Sequence, residues 1–319
     1  MRVLITGASG FAGGYLARAC TAAGDEVLGL SRSGEVPVGG GDGLALDLID
    51  RDRVREAFRD AAPDVVYHLA ALSSVGRSWD DPAGTMEENV ATAVNVLEAL
   101  RLDAPGARTV WVSSCEVYGT SAQLPVNETA PVLPANPYAV SKTAGEQLAA
   151  VYGEAYGLEI IRARPFNHTG PGQRPLFVAA SLAYQAAEGR LSGAERIHIV
   201  TGNPDTRRDF TDVRDVVRAY RLLAERASPG IYNVSTGRSV STGDQVRLLA
   251  ELLAPLEVDH EVDPARVRAH EVMDLRGANE RLREATGWEP EIPFRDTLRD
   301  SLEWWERELS RATEAGRST

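Results

Sequence analysis

The sequence predicts an α/β protein built on a doubly wound parallel sheet, with a smaller mixed α/β C-terminal lobe. Over the first 165 residues, short apolar runs alternate with helical patterns. Such alternation builds a parallel sheet with crossover helices on both faces. A glycine-rich turn follows the first apolar run directly, and beyond Pro165 the alternation gives way to clusters of Pro and Gly. These observations place the larger domain first and the smaller lobe after it.

The predicted elements of the larger domain follow in a regular order. Ligands of an open parallel sheet bind outside the carboxyl ends of its strands, so functional side chains are expected just after them. The expected strands are Arg2–Thr6, Glu26–Ser31, Gly43–Leu48, Asp64–Ala71, Arg108–Ser114 and Leu158–Arg164. The expected helices are Phe11–Ala23, Arg53–Ala61, Met86–Leu100 and Ser141–Tyr156.

The second half of the chain is less regular. Pro and Gly cluster in Pro165–Pro175 and Gly202–Pro204, followed by a predicted strand and two helices. We expect residues 1–165, with a return segment at about 205–236, to form the sheet domain, residues 166–204 and 237–312 the second lobe, and residues 313–319 a flexible tail. The later elements are expected at Gly230–Val234, Thr242–Ala254 and Phe294–Leu309.

Composition narrows the class of protein. The 34 Lys and Arg against 46 Asp and Glu leave a net charge of −12, which argues against nucleic acid as a partner. Two cysteines, Cys20 and Cys115, are too few for a disulfide scaffold. No apolar run approaches the roughly 20 residues of a membrane helix, and no export signal precedes Val3. We therefore expect a cytoplasmic protein with no membrane partner.

The glycine-rich turn Gly7–Gly13 indicates a nucleotide site. Its G-x-x-G-x-x-G spacing lets backbone N–H groups approach a pyrophosphate at the start of a helix. Arg32 stands after the second strand, where an arginine suits a 2′-phosphate, which favours NADP(H) with NAD(H) as the alternative. Its other interpretation is a solvated surface arginine. Asp47, after the third strand, is interpreted as an acceptor for an adenine amino group or as a helix cap.

Tyr138 and Lys142 are the candidate catalytic pair. Their spacing of four places both on one helix face, where an ammonium beside a phenol is expected to lower the phenol pKa. The alternative is an ordinary exposed Tyr and Lys. Ser114 closes the fifth predicted strand, 24 residues before the tyrosine. That position is at the ligand-binding edge, which favours the catalytic interpretation.

In this order and spacing, GASGFAG, Leu69–Ala71, Ser114 and YAVSK resemble the motifs of the short-chain dehydrogenase/reductase superfamily, in its extended, nucleotide-sugar-modifying branch. The resemblance covers nearly the whole chain. It implies a Rossmann-like dinucleotide-binding domain, a nucleotide-sugar-binding lobe, a homodimer, and a catalytic triad of Ser114, Tyr138 and Lys142. The predicted homodimer would pair helices Met86–Leu100 and Ser141–Tyr156, although their apolar faces could equally serve the core.

A narrower resemblance lies in Arg164–Gln173, which is similar to the substrate loop of GDP-4-keto-6-deoxy-mannose reductases, relatives of the GDP-mannose 4,6-dehydratases. It implies a GDP-linked sugar as substrate and no metal. The implied substrate-binding residues are Asn167, Val178, Arg208, Arg268 and Glu271. The implied cofactor-binding residues are Gly7, Ser9, Gly10, Phe11, Ala12, Gly13, Arg32, Asp47, Leu48, Leu69, Ala70, Ala71, Ser113, Tyr138, Lys142, Pro165 and His168.

Three functions stay open at this point. The substrate loop favours reduction of a C4 ketone, with Tyr138 as the general acid. Cys115 and Glu116 stand where related dehydratases carry their acid and base, so a 4,6- or 5,6-dehydratase or an epimerase is the alternative. Structurally, Cys115 could instead be a buried filler and Glu116 an orienting hydrogen-bond partner. The third is a dinucleotide-binding sensor without catalysis, which the retained triad argues against.

Overall fold

The computed structural model describes residues 1–121, 123–267 and 272–317. The strands are β1 (Arg2–Thr6), β2 (Glu26–Ser31), β3 (Asp42–Ala45), β4 (Val65–His68), β5 (Arg108–Val112), β6 (Ile160–Pro165), β7 (Asn167–Thr169), β8 (Arg196–Thr201), β9 (Arg207–Asp212), β10 (Gly230–Val234), β11 (Ser239–Ser241), β12 (Glu257–Val262) and β13 (Asp274–Leu275). The helices are α1 (Phe11–Ala22), α2 (Arg51–Ala61), α3 (Val75–Asp80), α4 (Pro82–Asp103), α5 (Pro137–Tyr156), α6 (Val178–Leu191), α7 (Val213–Arg226), α8 (Thr242–Leu253), α9 (Glu280–Thr286) and α10 (Phe294–Arg317).

A seven-stranded sheet forms the centre of the larger unit. Its order is β3-β2-β1-β4-β5-β6-β10, and every neighbouring pair is parallel. The chain reverses direction across the sheet between β1 and β4, which is where such a fold binds its ligand. This architecture confirms the predicted fold class.

The hydrophobic core of this unit lies between the sheet and the helices of one face. Trp111 on β5 is its largest fully buried side chain, and α2, α4 and α5 supply the opposing apolar side chains. Burial of this apolar surface is the main stabilising contribution to the sheet domain. Members of the cluster include Leu4, Leu30, Val54, Phe58, Val66, Val96, Leu97, Leu100 and Ile160.

The boundaries of several elements differ from the expected ones. β4 and β5 end at His68 and Val112, earlier than predicted, because the chain there leaves the ladder to form loops at the carboxyl edge. α5 begins at Pro137 instead of Ser141, since the Asn136 side chain caps Ala139 N across 2.8 Å and Pro137 occupies the first helical position. Tyr138 therefore lies within the first turn of α5.

The chain divides into two compact units. The first comprises Met1–Phe166, Val216–Val234 and Gly277–Glu289, and the second Asn167–Asp215, Ser235–Arg276 and Pro290–Thr319. The return to the first unit begins at Val216, later than the expected 205, because β9 pairs with β7, β11 and β13 of the second unit.

A second return segment, Gly277–Glu289, was not predicted from the sequence. Ala278 N donates to Val126 O across 2.8 Å, and the Arg218 guanidinium lies 5.8 Å from the ring centre of buried Trp288. These contacts attach the segment to the first unit.

The second unit packs α6, α8 and α10 around a small apolar core with β8, which pairs in parallel with β12. α10 runs to Arg317, so residues 313–317 of the predicted tail belong to this helix. Within the described ranges, no helix is both long and apolar enough to cross a bilayer.

Candidate active site

The glycine turn between β1 and α1 packs closely against neighbouring backbone. Gly7 has a φ of +76°, and a Cβ there would lie 2.9 Å from Ala70 N. A Cβ at Gly13 would collide with the carbonyl oxygen of Gly7, so only glycine lets α1 start this close to the turn. Gly10 caps α1 without a side-chain hydrogen bond. The bare backbone at a helix N-terminus fits a pyrophosphate.

The end of β2 carries Arg32, as predicted, and the structure gives it a partner. Its Nη1 lies 3.2 Å from Glu88 Oε1 on α4, with the Arg32 side chain 67% exposed. Asp47 Oδ1 accepts from Ile49 N across 3.1 Å, whereas α2 is capped by Asp50. The suggestion that Asp47 caps this helix is therefore wrong.

The turn after β5 holds Ser114, Cys115 and Glu116. Ser114 Oγ accepts from Glu116 N across 3.2 Å and caps a 3-10 helix, Cys115–Tyr118. The Cys115 side chain is buried. Glu116 Oε2 accepts from Asn136 Nδ2 across 2.9 Å, and Asn136 also caps α5. Glu116 thereby ties this turn to the helix that carries Tyr138, in agreement with its interpretation as an orienting partner.

Tyr138 is buried at the start of α5. Burial raises the pKa of its phenol above the ordinary value, the Ser114 hydrogen bond lowers it, and the nearby Glu116 carboxylate raises it again. The predicted lowering of this pKa by Lys142 is wrong for this structure, since burial outweighs every other effect. The phenol of Tyr138 is therefore protonated in this structure.

Lys142, one helical turn beyond Tyr138, is buried at the end of β5. Its Nζ donates to the Val112 carbonyl oxygen across 2.6 Å. Burial lowers the pKa of the ammonium from 10.5 to about 8, and the Glu146 carboxylate acts in the opposite direction. The Val112 bond fixes the ammonium at the carboxyl edge of the sheet.

Two polar residues beside Lys142 were missed from the sequence. His68 ends β4, stacks on Trp111 at 4.2 Å between ring centres, and places Nδ1 2.8 Å from Thr6 Oγ1. Burial, and then the Lys142 charge, lower the His68 pKa to about 3. Asn89 on α4 donates to Ser141 Oγ across 2.8 Å and accepts from Leu72 N. His68 is therefore neutral near pH 7, and Asn89 joins α4 to α5.

A buried ion pair supports the same helix. Glu146, one turn beyond Lys142, accepts from Arg164 Nε at 3.0 Å and 3.1 Å, and both side chains are only 2% exposed. The Arg164 guanidinium lies 4.7 Å from the Tyr118 ring centre, and Tyr118 Oη donates to Asn233. The sequence gives no sign of this ion pair, because Glu146 and Arg164 are 18 residues apart, one on a helix and the other on a strand.

The second unit carries the predicted substrate residues. Asn167 Oδ1 on β7 is buried and has no hydrogen-bond partner among the residues that the structure describes, which leaves an acceptor for a ligand. Arg208 Nη1 donates to the carbonyl oxygens of Arg207 and Val272, so carbonyls orient this guanidinium. Val178, 39% exposed, begins α6, and Gln173 Nε2 donates to His168 O. The predicted Arg268 and Glu271 lie outside the described residues.

Three more predicted positions, Ser113, Ala70 and Pro165, lie at the carboxyl edge of the sheet. Ser113 N donates to Ala163 O, and Ser113 Oγ is buried without a partner in the described part of the chain. Ala70 N donates to Thr6 Oγ1 across 3.3 Å, which sets the loop after β4 against the glycine turn. Pro165 ends β6 beside Val234. Within the first unit, the structure thus brings the glycine turn, the loop after β4 and the Ser114 turn to one edge.

Residues 4–301 match the sequence model of the GDP-mannose 4,6-dehydratase family. The chain belongs to this family. The match covers both units and confirms the resemblance to the extended nucleotide-sugar-modifying enzymes.

Relatives within and around the family differ in their named activities. The chain is 38% identical over 308 residues to GDP-6-deoxy-D-mannose reductase of Pseudomonas aeruginosa, and the alignment covers 96% of this chain and 97% of that protein. It is 33% identical to UDP-glucose 4-epimerase of Mycolicibacterium smegmatis, with 96% and 98% covered. The solved structure of RMD from Pseudomonas aeruginosa complexed with NADPH superposes with a TM-score of 0.82 at 35% identity, covering 97% and 100% of the two chains.

Proposed function

We propose that this protein is a nicotinamide-dependent 4-ketoreductase of a GDP-linked 6-deoxy-4-keto-hexose. The observation that carries the proposal is the buried phenol of Tyr138, which lies beside the Ser114 side chain and one helical turn from Lys142. The 38% identical reductase supports the reaction direction and the GDP-sugar class. We infer NADP(H) as the preferred cofactor on the position of Arg32, with NAD(H) as the alternative.

In the proposed reaction, three side chains of this protein act at the carbonyl group of the substrate. Tyr138 holds the proton that the developing alkoxide needs, because a phenol is neutral at working pH. Ser114 lies beside that phenol and supplies a second hydroxyl for the oxygen. Lys142, held by Val112 O, contributes a positive charge at the same edge. Donors already in position where charge develops lower the barrier.

Gly7, Gly10 and Gly13 would hold the pyrophosphate of the cofactor, and Arg32 would lie at its adenosine end. When bound, the reduced nicotinamide supplies the hydride for the ketone carbon. In the second unit, the free acceptor of Asn167 and the guanidinium of Arg208 are proposed to bind the nucleotide sugar.

Consumption of NADPH tests the reaction. Purified protein with GDP-4-keto-6-deoxy-mannose should oxidise NADPH, followed at 340 nm, with one GDP-6-deoxy sugar formed per NADPH lost. Conversion of GDP-mannose to a keto sugar without net loss of coenzyme would establish the dehydratase alternative instead. Tight coenzyme binding without turnover of any keto sugar would establish the sensor.

The dehydratase alternative rests on Cys115 and Glu116. Elimination needs a base to take the proton beside the ketone, and Glu116 is the candidate. Its Oε2 accepts from Asn136 Nδ2 across 2.9 Å, a contact that orients the carboxylate in either reaction. Glu116→Gln should keep at least a tenth of the reductase turnover, because a glutamine oxygen can still accept from Asn136.

We further propose a cytoplasmic homodimer formed by α4 and α5. Val140 and Val151 lie on one face of α5 and are 41% and 58% exposed, and Leu102 on α4 is 41% exposed. Light scattering on the wild-type protein and on Val151→Glu tests the dimer. We expect twice the chain mass for the former and a loss of dimer for the latter.

A further inference from the structure

The end of β2 is the usual place where a dinucleotide-binding sheet distinguishes its two coenzymes. An acid there accepts from a free ribose 2′-OH, and an arginine binds a 2′-phosphate. In this chain the position after β2 holds Arg32, and the acids of the strand region, Asp25 and Glu26, stand at its opposite end. An acidic group nevertheless reaches this position from another element, since Glu88 Oε1 of α4 lies 3.2 Å from Arg32 Nη1.

The position of α4 brings Glu88 to the adenosine end of the site. Asn95, two helical turns after Glu88 on the same face, donates from Nδ2 to Leu48 O at 2.9 Å and Ile49 O at 3.0 Å. That face of α4 therefore lies against the loop after β3. Because β3 pairs in parallel with β2, this loop and Arg32 share one sheet edge.

The charge of the pair has a direct consequence for selectivity. A 2′-phosphate would attract the Arg32 guanidinium, but Glu88 already offsets that positive charge and occupies one of its donors. A ribose 2′-OH carries no charge, so it neither competes with Glu88 nor requires Arg32. The ion pair should weaken binding of NADP(H) and leave binding of NAD(H) nearly unchanged.

We propose that Glu88, acting through Arg32, is a positioning residue that sets coenzyme selectivity and reduces the preference for NADP(H) over NAD(H). This inference rests on the proposed dinucleotide site. It concerns affinity for the coenzyme, which can be measured without any sugar substrate.

Calorimetric titration of the full chain with NADPH and with NADH tests the proposal. Glu88→Gln should raise the ratio of NADPH affinity to NADH affinity about three- to fivefold, the upper part of the range for a surface ion pair, because the Glu88 side chain is only 31% exposed. Arg32→Gln should lower that ratio at least about tenfold. In the Arg32→Gln background, Glu88→Gln should change the ratio less than about twofold, because the residue through which Glu88 acts is gone.

A matched control separates this pair from the general charge of α4. Glu87 neighbours Glu88 on the same helix and is exposed, so Glu87→Gln removes an equal charge and should leave the ratio within about twofold of wild type. A ratio unchanged by Glu88→Gln would overturn the proposal, as would an equal rise in Glu87→Gln or a rise that persists without Arg32. If wild type binds neither coenzyme, the proposed function fails together with it. If the coenzymes bind normally and the affinity ratio is the same in wild type and Glu88→Gln, this inference alone is overturned.

Discussion

Lys142 Nζ donates to the carbonyl oxygen of Val112 across 2.6 Å, which ties α5 to the carboxyl end of β5. The bond uses one of the three donors of the ammonium and leaves two for a phenol or a ribose. It also explains how a lysine can stay buried beside neutral His68: the backbone dipole partly replaces the lost hydration.

The loss of activity at alkaline pH should follow the deprotonation of Lys142. Burial lowers the pKa of Lys142 to about 8, so the ammonium is present below that pH and lost above it. We expect kcat/KM, which reports ionisations of the free enzyme, to fall above about pH 8 in wild type. Lys142→Arg keeps its charge over the whole range, so its kcat/KM, although reduced, should show no such fall up to pH 10. An identical limb in both proteins would assign the titration to another group.

Tyr138→Phe removes the proposed proton donor and keeps the ring. Turnover should fall by about two orders of magnitude or more, with coenzyme and sugar-nucleotide affinities within about threefold of wild type. Single-turnover kinetics and equilibrium titration measure the two quantities separately. Full turnover in the variant would remove Tyr138 from the mechanism.

His68 should make the fold sensitive to acid. Its pKa is about 3 in the folded chain against an ordinary 6.5, so the unfolded state binds the proton first. The stabilising contribution is therefore complete above pH 6.5 and is lost as the pH falls towards 3. Denaturant unfolding at a series of pH values gives the slope of the unfolding free energy against pH. Between pH 6.5 and 3, this slope should correspond to up to about one proton fewer taken up on unfolding in His68→Gln than in wild type. Equal slopes would place the acid sensitivity elsewhere.

Removal of Arg164 should be costly, because it leaves Glu146 buried without its partner. We expect Arg164→Met to lower the free energy of unfolding by about 3 to 5 kcal/mol. The double variant Arg164→Met, Glu146→Leu should recover most of that loss, since no unpaired charge remains. Urea denaturation measures both variants. A double variant as unstable as the single one would show that packing of Arg164 against Tyr118, and not its charge, is what the fold requires.

Local patterns were sufficient for the parts of the site that lie within one turn or one helix. The Gly7–Gly13 turn and the spacing of Tyr138 and Lys142 depend on short stretches of chain, and the structure gives them the expected elements. The start of α5 was missed although Asn136 followed by Pro137 is a helix-start signal. That signal was available in the sequence.

Contacts between distant elements could not be predicted from such patterns. Thr6 and His68 are 62 residues apart, and Glu146 and Arg164 pair across a helix and a strand. The same holds for Arg32, whose partner on α4 changes its interpretation from a simple phosphate ligand to half of an ion pair. The pKa of Tyr138 was also misjudged, because the degree of burial follows from tertiary packing.

Transfer of isotope from the coenzyme to the sugar tests the central claim most directly. Protein is mixed with GDP-4-keto-6-deoxy-mannose and NADPH that carries deuterium on the transferring position of the nicotinamide. The account predicts one deuterium at C4 of the product, observed by mass spectrometry and NMR, and almost none in Tyr138→Phe over the same time. A GDP-6-deoxy sugar formed by the wild-type protein without deuterium at C4 would contradict it.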